Sequence, residues 1–133
     1  AWISDLDEHL GWNNRSRSYR LLKAVLHALR DWLPVNESAD FAAQLPGLLR
    51  GAYYEQWRPA TTPVRKRSRA DFMARVGESF KPDPLEHPER SVTVVFELLS
   101  QRITAGEIDD VRRALPADLR SLWPGHSIAI GAA

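Results

Sequence analysis

Between Arg50 and Arg69 the chain concentrates residue types that build recognition surfaces: Arg50, Tyr54, Glu55, Trp57 and Arg58, then Arg65, Lys66, Arg67 and Arg69. Aromatic rings beside arginines combine apolar area with directional donors, the mixture that dominates binding hot spots. The first expectation is therefore a protein partner held through residues 50–69. A structural alternative stands beside it. Tyr53 and Trp57 would cap the core, as aromatics at helical spacing commonly do, while Arg50 and Arg120 would pair with carboxylates such as Glu37 and Glu107. The basic run at 65–69 invites phosphate contacts, but nucleic-acid binding calls for a basic face supported by the whole domain. A net charge of +1 argues against one. A solvated linker is the simpler account of that run.

Catalytic groups are scarce. His27 falls between Lys23 and Asp31 on what reads as a polar helix face with Arg20 and Arg30, so a solvated imidazole is expected, with Glu97 as its one suggested partner. His9, His87 and His126 stand singly, without a second histidine at ligand spacing. No Ser/His/Asp order, phosphate-cradling glycine loop or paired-carboxylate motif is visible. The chain has no cysteine, which excludes disulfides, thiolate metal sites and cysteine nucleophiles. The expectation is a non-enzyme with no metal and no cofactor.

The elements that would carry these residues are helical throughout. Trp2, Ile3, Leu6 and Leu10 recur at helical spacing and stop at Gly11, and Asn13 and Asn14 are cap residues for the next helix. Tyr19, Leu22, Val25, Leu26, Leu29, Trp32 and Leu33 form an unbroken apolar stripe ended by Pro34. A third helix runs over Val35–Gln44, and Pro46 opens a short fourth one carrying Leu48, Leu49, Ala52 and Tyr53. Ser68 and Asp71 make a capping box for a helix with Phe72, Met73, Val76 and Phe80 inside. Residues 81–88 form a proline-rich loop, Thr104 and Glu107 make a second capping box, and Pro116–Trp123 is the last short helix.

Ser91–Leu99 is ambiguous by itself, because Val92, Val94, Val95 and Phe96 also suit a buried strand. An internal echo decides for helix. With an offset of 70, Arg90, Val95, Leu99, Glu107, Asp110, Leu115, Pro116, Leu119 and Arg120 fall on Arg20, Val25, Leu29, Glu37, Asp40, Leu45, Pro46, Leu49 and Arg50. An offset of 66 matches Asp71, Phe72, Val76 and Gly77 to Asp5, Leu6, Leu10 and Gly11. The sequence thus predicts an all-α fold: eight helices in two tandem four-helix repeats packed as one compact bundle. Repeat one covers about 2–57, a basic linker 58–68, repeat two about 69–124 and a tail 125–133. Leu22, Leu26, Leu29, Phe96 and Leu99 should share one core.

The run Tyr19–Asp31, then Gln44-Leu-Pro, Leu49-Arg-Gly and Tyr53-Tyr-Glu-Gln-Trp57, resembles a bacterial family, the domain of unknown function 2267. Ser100–Glu107, Val111, Leu115-Pro and Leu122-Trp-Pro124 agree with it. Members of that family usually carry glycine where this chain has Gln56. The resemblance implies a small helical protein and brings no catalytic residue with it.

Three functions stand as expectations. The first is a protein-interaction or scaffolding module, alone or as a homodimer, using the aromatic-basic extension that the second repeat lacks. The second is a small-ligand or sensor domain with a pocket between the repeats, near Trp32, Tyr54 and Trp57. The third is weak nucleic-acid binding through Arg65–Arg69. No apolar run reaches the roughly 18 residues of a membrane span, Trp2–Leu10 is too acidic for a signal peptide, and a cytoplasmic address is expected.

Overall fold

A computed structural model describes residues 1–65 and 67–123; Lys66, Pro124 and the expected 125–133 tail, with His126, lie outside the described residues. Among the described residues there are eight α-helices and no strand: α1 (Trp2–Leu10), α2 (Arg15–Trp32), α3 (Val35–Ala42), α4 (Gly47–Tyr54), α5 (Arg69–Gly77), α6 (Pro88–Arg102), α7 (Ala105–Ala114) and α8 (Ala117–Arg120). Short 3₁₀ turns cover Pro59–Thr61 and Glu78–Phe80. Phe80, expected inside a helix, is buried from the second of these turns. Among the described residues no helix is long and apolar enough to cross a membrane.

The boundaries follow local chemistry. Gly11 ends α1 at φ 70°, where a side chain would be strained. The Asn14 side chain accepts from the Arg17 N–H to open α2, and Ser68 and Asp71 close a reciprocal capping box on α5. The second expected box is only half formed. The Thr104 hydroxyl accepts from the Glu107 N–H, but the Glu107 carboxylate does not return to the cap.

Residues Ser91–Leu99 lie within α6, so the valine-rich run is helical, as expected. The long helices α2 and α6 pack together, and each half's opening helix, α1 or α5, touches both of them. The halves therefore interlock. Leu22, Leu26, Leu29, Phe96 and Leu99 are fully buried in one core. An aromatic ladder crosses it: Trp32 meets Phe72 edge-on at 5.6 Å, Phe72 meets Phe96 at 5.9 Å, and Phe96 stacks on Trp123 at 4.1 Å. Polar ties join the halves at the rim, where Arg17 reaches Asp83, Arg102 reaches Asp5, and Gln44 exchanges two hydrogen bonds with Thr104.

Candidate functional site

The most buried cation among the described residues organises the 50–69 region. Ser18, Leu22, Leu26 and Arg30 recur at intervals of four along α2, and all are buried, Arg30 to 4% exposure. Residue type alone puts Arg30 on the polar face; the structure places it in the apolar row. A guanidinium so buried must be paired and hydrogen-bonded. Its Nε donates to Asp31 at 2.9 Å, and one terminal nitrogen donates to the backbone carbonyls of Tyr53, at 3.1 Å, and Glu55, at 2.5 Å. These carbonyls lie at the C-terminal end of α4, where carbonyls lack intrahelical partners and a cation is favoured.

Two neighbours of Arg30 complete the arrangement. His27 is half-buried, and its Nε2 donates to the Ala52 carbonyl at 2.6 Å. The solvated imidazole and the Glu97 partner expected from sequence are thus replaced by a backbone contact, because α4 packs over this turn of α2. Burial, more than the nearby Arg30 and Arg75, holds the His27 imidazole below its ordinary pKa. Asp31 accepts from Arg30 and from Arg75 at 3.3 Å, while its own backbone carbonyl accepts from the Val64 N–H at 2.9 Å. His27, Arg30 and Asp31, adjacent on the surface of α2, therefore fix both ends of the segment beyond α4.

That segment departs from the expected solvated linker. It holds a 3₁₀ turn, the Val64 bond to Asp31, and an Arg67 bond to the Trp32 carbonyl at 3.4 Å. Gln56 takes φ 58°, so the left-handed turn that glycine suits is made here by glutamine. Tyr54 and Trp57 pack against each other with ring centroids 5.1 Å apart and stay half-exposed. Tyr53 lies wholly in the core, where Ser38 hydrogen-bonds its hydroxyl and burial raises its pKa.

The expected recognition residues divide. Arg50 does not meet Glu37: its Nε and Nη2 donate to the carbonyls of Ala42, at 3.2 Å, and Leu45, at 2.9 Å, closing the end of α3. Arg120 does the same at the end of α7, bonding Arg112 at 2.7 Å and Leu115 at 3.0 Å instead of Glu107. Backbone carbonyls won over carboxylates because each arginine lies within reach of a helix end. Arg69 is also committed, with two nitrogens each 3.0 Å from Glu89 and a third bonded to Ser121 at 2.7 Å. Tyr54, Glu55, Trp57, Arg58 and Arg65 remain as surface, and neither Arg58 nor Arg65 forms an ion pair among the described residues. Beside them Lys23, His27, Glu55 and Gln56 line a recess of about 340 Å³.

Two further places have chemical character. A polar cleft of about 490 Å³ opens between residues 9–17 and 83–94, lined by Trp12, Arg17, His87 and Arg90 among others. It is well away from the expected apolar cleft near Trp32, which is buried against Phe72 instead. The second place is where α3 packs on α7 and gathers Glu37, Glu107 and Asp110. Glu107 is 9% exposed, and burial together with the Glu37 carboxyl beside it pushes its pKa up to about 8. In the sequence Glu37 and Glu107 are read as arginine partners, Glu107 also as half of a capping box, and Asp110 only as the echo of Asp40; no local spacing signals that they meet.

The model of a family described as an uncharacterized conserved protein (DUF2267) matches residues 1–122, and the chain belongs to that family. No curated protein matches it.

Proposed function

We propose that this member of the family is a non-enzymatic interaction module that captures an acidic segment of a protein partner on the surface beyond α4. The observation that carries the reading is the investment of Arg30, His27 and Asp31 in that segment. Together they hold the backbone of Ala52, Tyr53, Glu55 and Val64 against α2. Their counterparts at an offset of 70 are Glu97, Ser100 and Gln101, which bring neither an imidazole nor a guanidinium to donate to backbone carbonyls as His27 and Arg30 do.

The surface so presented has an anchor and a charge. Tyr54 and Trp57 offer a paired aromatic face, and Leu48, 79% exposed, lies on α4 with Tyr54. Arg58 and Arg65 add positive charge without a competing ion-pair partner among the described residues, and the recess bounded by Lys23 and His27 can seat one side chain. A partner with acidic residues around an apolar anchor suits both features. Because Arg67 and Arg69 are turned to Trp32 and Glu89, the nucleic-acid reading loses half of its basic run. A small-ligand reading draws support from the volume and polar lining of the cleft at Arg17 and Arg90. It is the weaker of the two, since Arg17 is held by Asp83 and lies over the rings of Trp12 and Phe80.

The test is affinity capture with wild type, Trp57→Ala and the double variant Arg58→Glu/Arg65→Glu, with folding verified by circular dichroism. A partner retained by wild type, lost by both variants and eluted by moderate salt is the expected result. Identical partner sets for all three proteins would count against the reading.

A further inference from the structure

We infer that the polar cleft between the end of α1 and the start of α6 binds the phosphate group of a small molecule, held by Arg90, Ser91 and the first turn of α6. None of the residues of the surface beyond α4 takes part, so phosphate binding and partner capture stand or fall separately.

Three observations converge on this place. First, Ser91 lines the cleft at only 5% exposure, and its hydroxyl has no hydrogen-bond partner among the described residues. At an offset of 70 its counterpart is Leu21, which is fully buried in the core. A buried hydroxyl where the other half uses leucine costs stability until a ligand or an ordered water completes it. Second, α6 runs for 15 residues from Pro88 and opens without a side-chain cap. No acceptor among the described residues takes the N–H of Glu89 or Arg90, whereas α2 has its Asn14 cap. Free N–H groups at the positive end of a long helix suit a phosphate.

Third, Arg90 lines the cleft, is exposed, and forms no ion pair or hydrogen bond among the described residues. Its counterpart Arg20 lies over the Phe80 ring at 5.8 Å, where α2 meets the turn that follows α5. Phe80, 1% exposed, fills that junction, while the junction of α1 with α6 stays open as a cleft of about 490 Å³. Two carboxylates also border it. Asp83 is neutralised by Arg17 at 3.0 Å, and Glu86, with its side chain 91% exposed, reaches the His87 imidazole at 3.7 Å. Arg90 is left as the uncommitted charge, and a guanidinium, a hydroxyl and helix N–H groups together are donors that match phosphate oxygens. The cleft is roomier than a bare phosphate needs, so a phosphate monoester with its organic part toward Trp12 suits the space.

The experiment is titration of the isotope-labelled full chain with sodium phosphate and, separately, phenyl phosphate, at neutral pH and constant ionic strength, followed by amide NMR shifts. Saturable shifts centred on Glu89, Arg90 and Ser91 are expected. Affinity should fall at least about tenfold in Arg90→Ala and severalfold in Ser91→Ala, and stay unchanged in Trp57→Ala. Neither cleft variant removes a bond that the fold uses, so both should keep the wild-type spectrum elsewhere. Tighter binding of phenyl phosphate, with a shift of the Trp12 indole N–H, assigns the site to a phosphate monoester. Equal affinity with Trp12 unmoved assigns it to free phosphate, and both results sustain the site. Shifts that fail to saturate at millimolar concentrations, or an affinity that either cleft variant leaves at the wild-type value, would overturn the assignment.

Discussion

At matched positions the two halves of the chain share the residues that close their helices and differ beyond the last helix. Arg50 and Arg120 bond the carbonyls five and eight residues before them, one at the end of α3 and the other at the end of α7. Leu45-Pro46 and Leu115-Pro116 precede the final helix of each half, α4 and α8. Yet α4 runs eight residues and α8 only four. Past α4 the backbone is gripped by His27, Arg30 and Asp31 of α2, where α6 has Glu97, Ser100 and Gln101. Shared residues therefore close helix ends and fill the core. The residues that differ fold one additional segment onto the surface, and that asymmetry is what the functional reading rests upon.

Matched substitutions put this contrast at risk. Leu26→Ala in one half and Phe96→Ala in the other remove fully buried side chains from a common core. Both should cost about 3–5 kcal/mol in chemical denaturation, and a much smaller loss in one half would deny that the core is shared. Arg30→Ala strips three hydrogen bonds, one buried and two partly buried, and leaves Asp31 with one partner fewer, so about 2–4 kcal/mol is expected. At the matching position Ser100→Ala should leave stability unchanged or raise it slightly, since the buried Ser100 hydroxyl has no hydrogen-bond partner among the described residues. Arg50→Ala and Arg120→Ala should each cost about 1–2 kcal/mol, and a large inequality between them would undo the idea of a common closure.

The pair Glu37 and Glu107 adds a pH dependence, because matched residues here confront each other. The Glu107 carboxyl is raised from 4.5 to about 8, so the protonated form is the better tolerated in the folded chain. Its stabilising contribution is complete below about pH 4.5 and is lost as the pH rises through about 8. In metal-free buffer the thermal midpoint should fall across that window, and Glu107→Gln should flatten the fall. A gain of about 0.5–1 kcal/mol is expected for Gln56→Gly, which relieves the left-handed turn, as judged by the same denaturation assay.

Much of the fold was legible because helix stripes and caps are local. The Leu22–Leu26–Leu29 stripe, the Ser68–Asp71 box and the Gly11 stop each depend on residues a few positions apart. Arg30 misleads because its residue type outweighs its position, although an interval of four from Ser18, Leu22 and Leu26 puts it in the buried row. The pinned segment at Val64 and Arg67 is illegible for another reason. Its partners are backbone carbonyls of α2, and no side-chain pattern announces them. Glu37 and Glu107 lie 70 positions apart, and only the packing of α3 on α7 reveals that they meet. In the candidate site the aromatic members, Tyr54 and Trp57, were visible, while the arginines expected beside them are mostly committed to the fold.

Hydrogen exchange in wild type and Arg30→Ala, resolved amide by amide under native conditions, reads the α2 grip itself. Protection should collapse at Glu55, Trp57 and Val64, whose N–H groups bond within or beside the gripped segment, and persist at Leu119, Leu122 and Trp123. A uniform loss across both halves, or an unchanged pattern in 55–64, would contradict the claim that Arg30 exists to hold this segment in place.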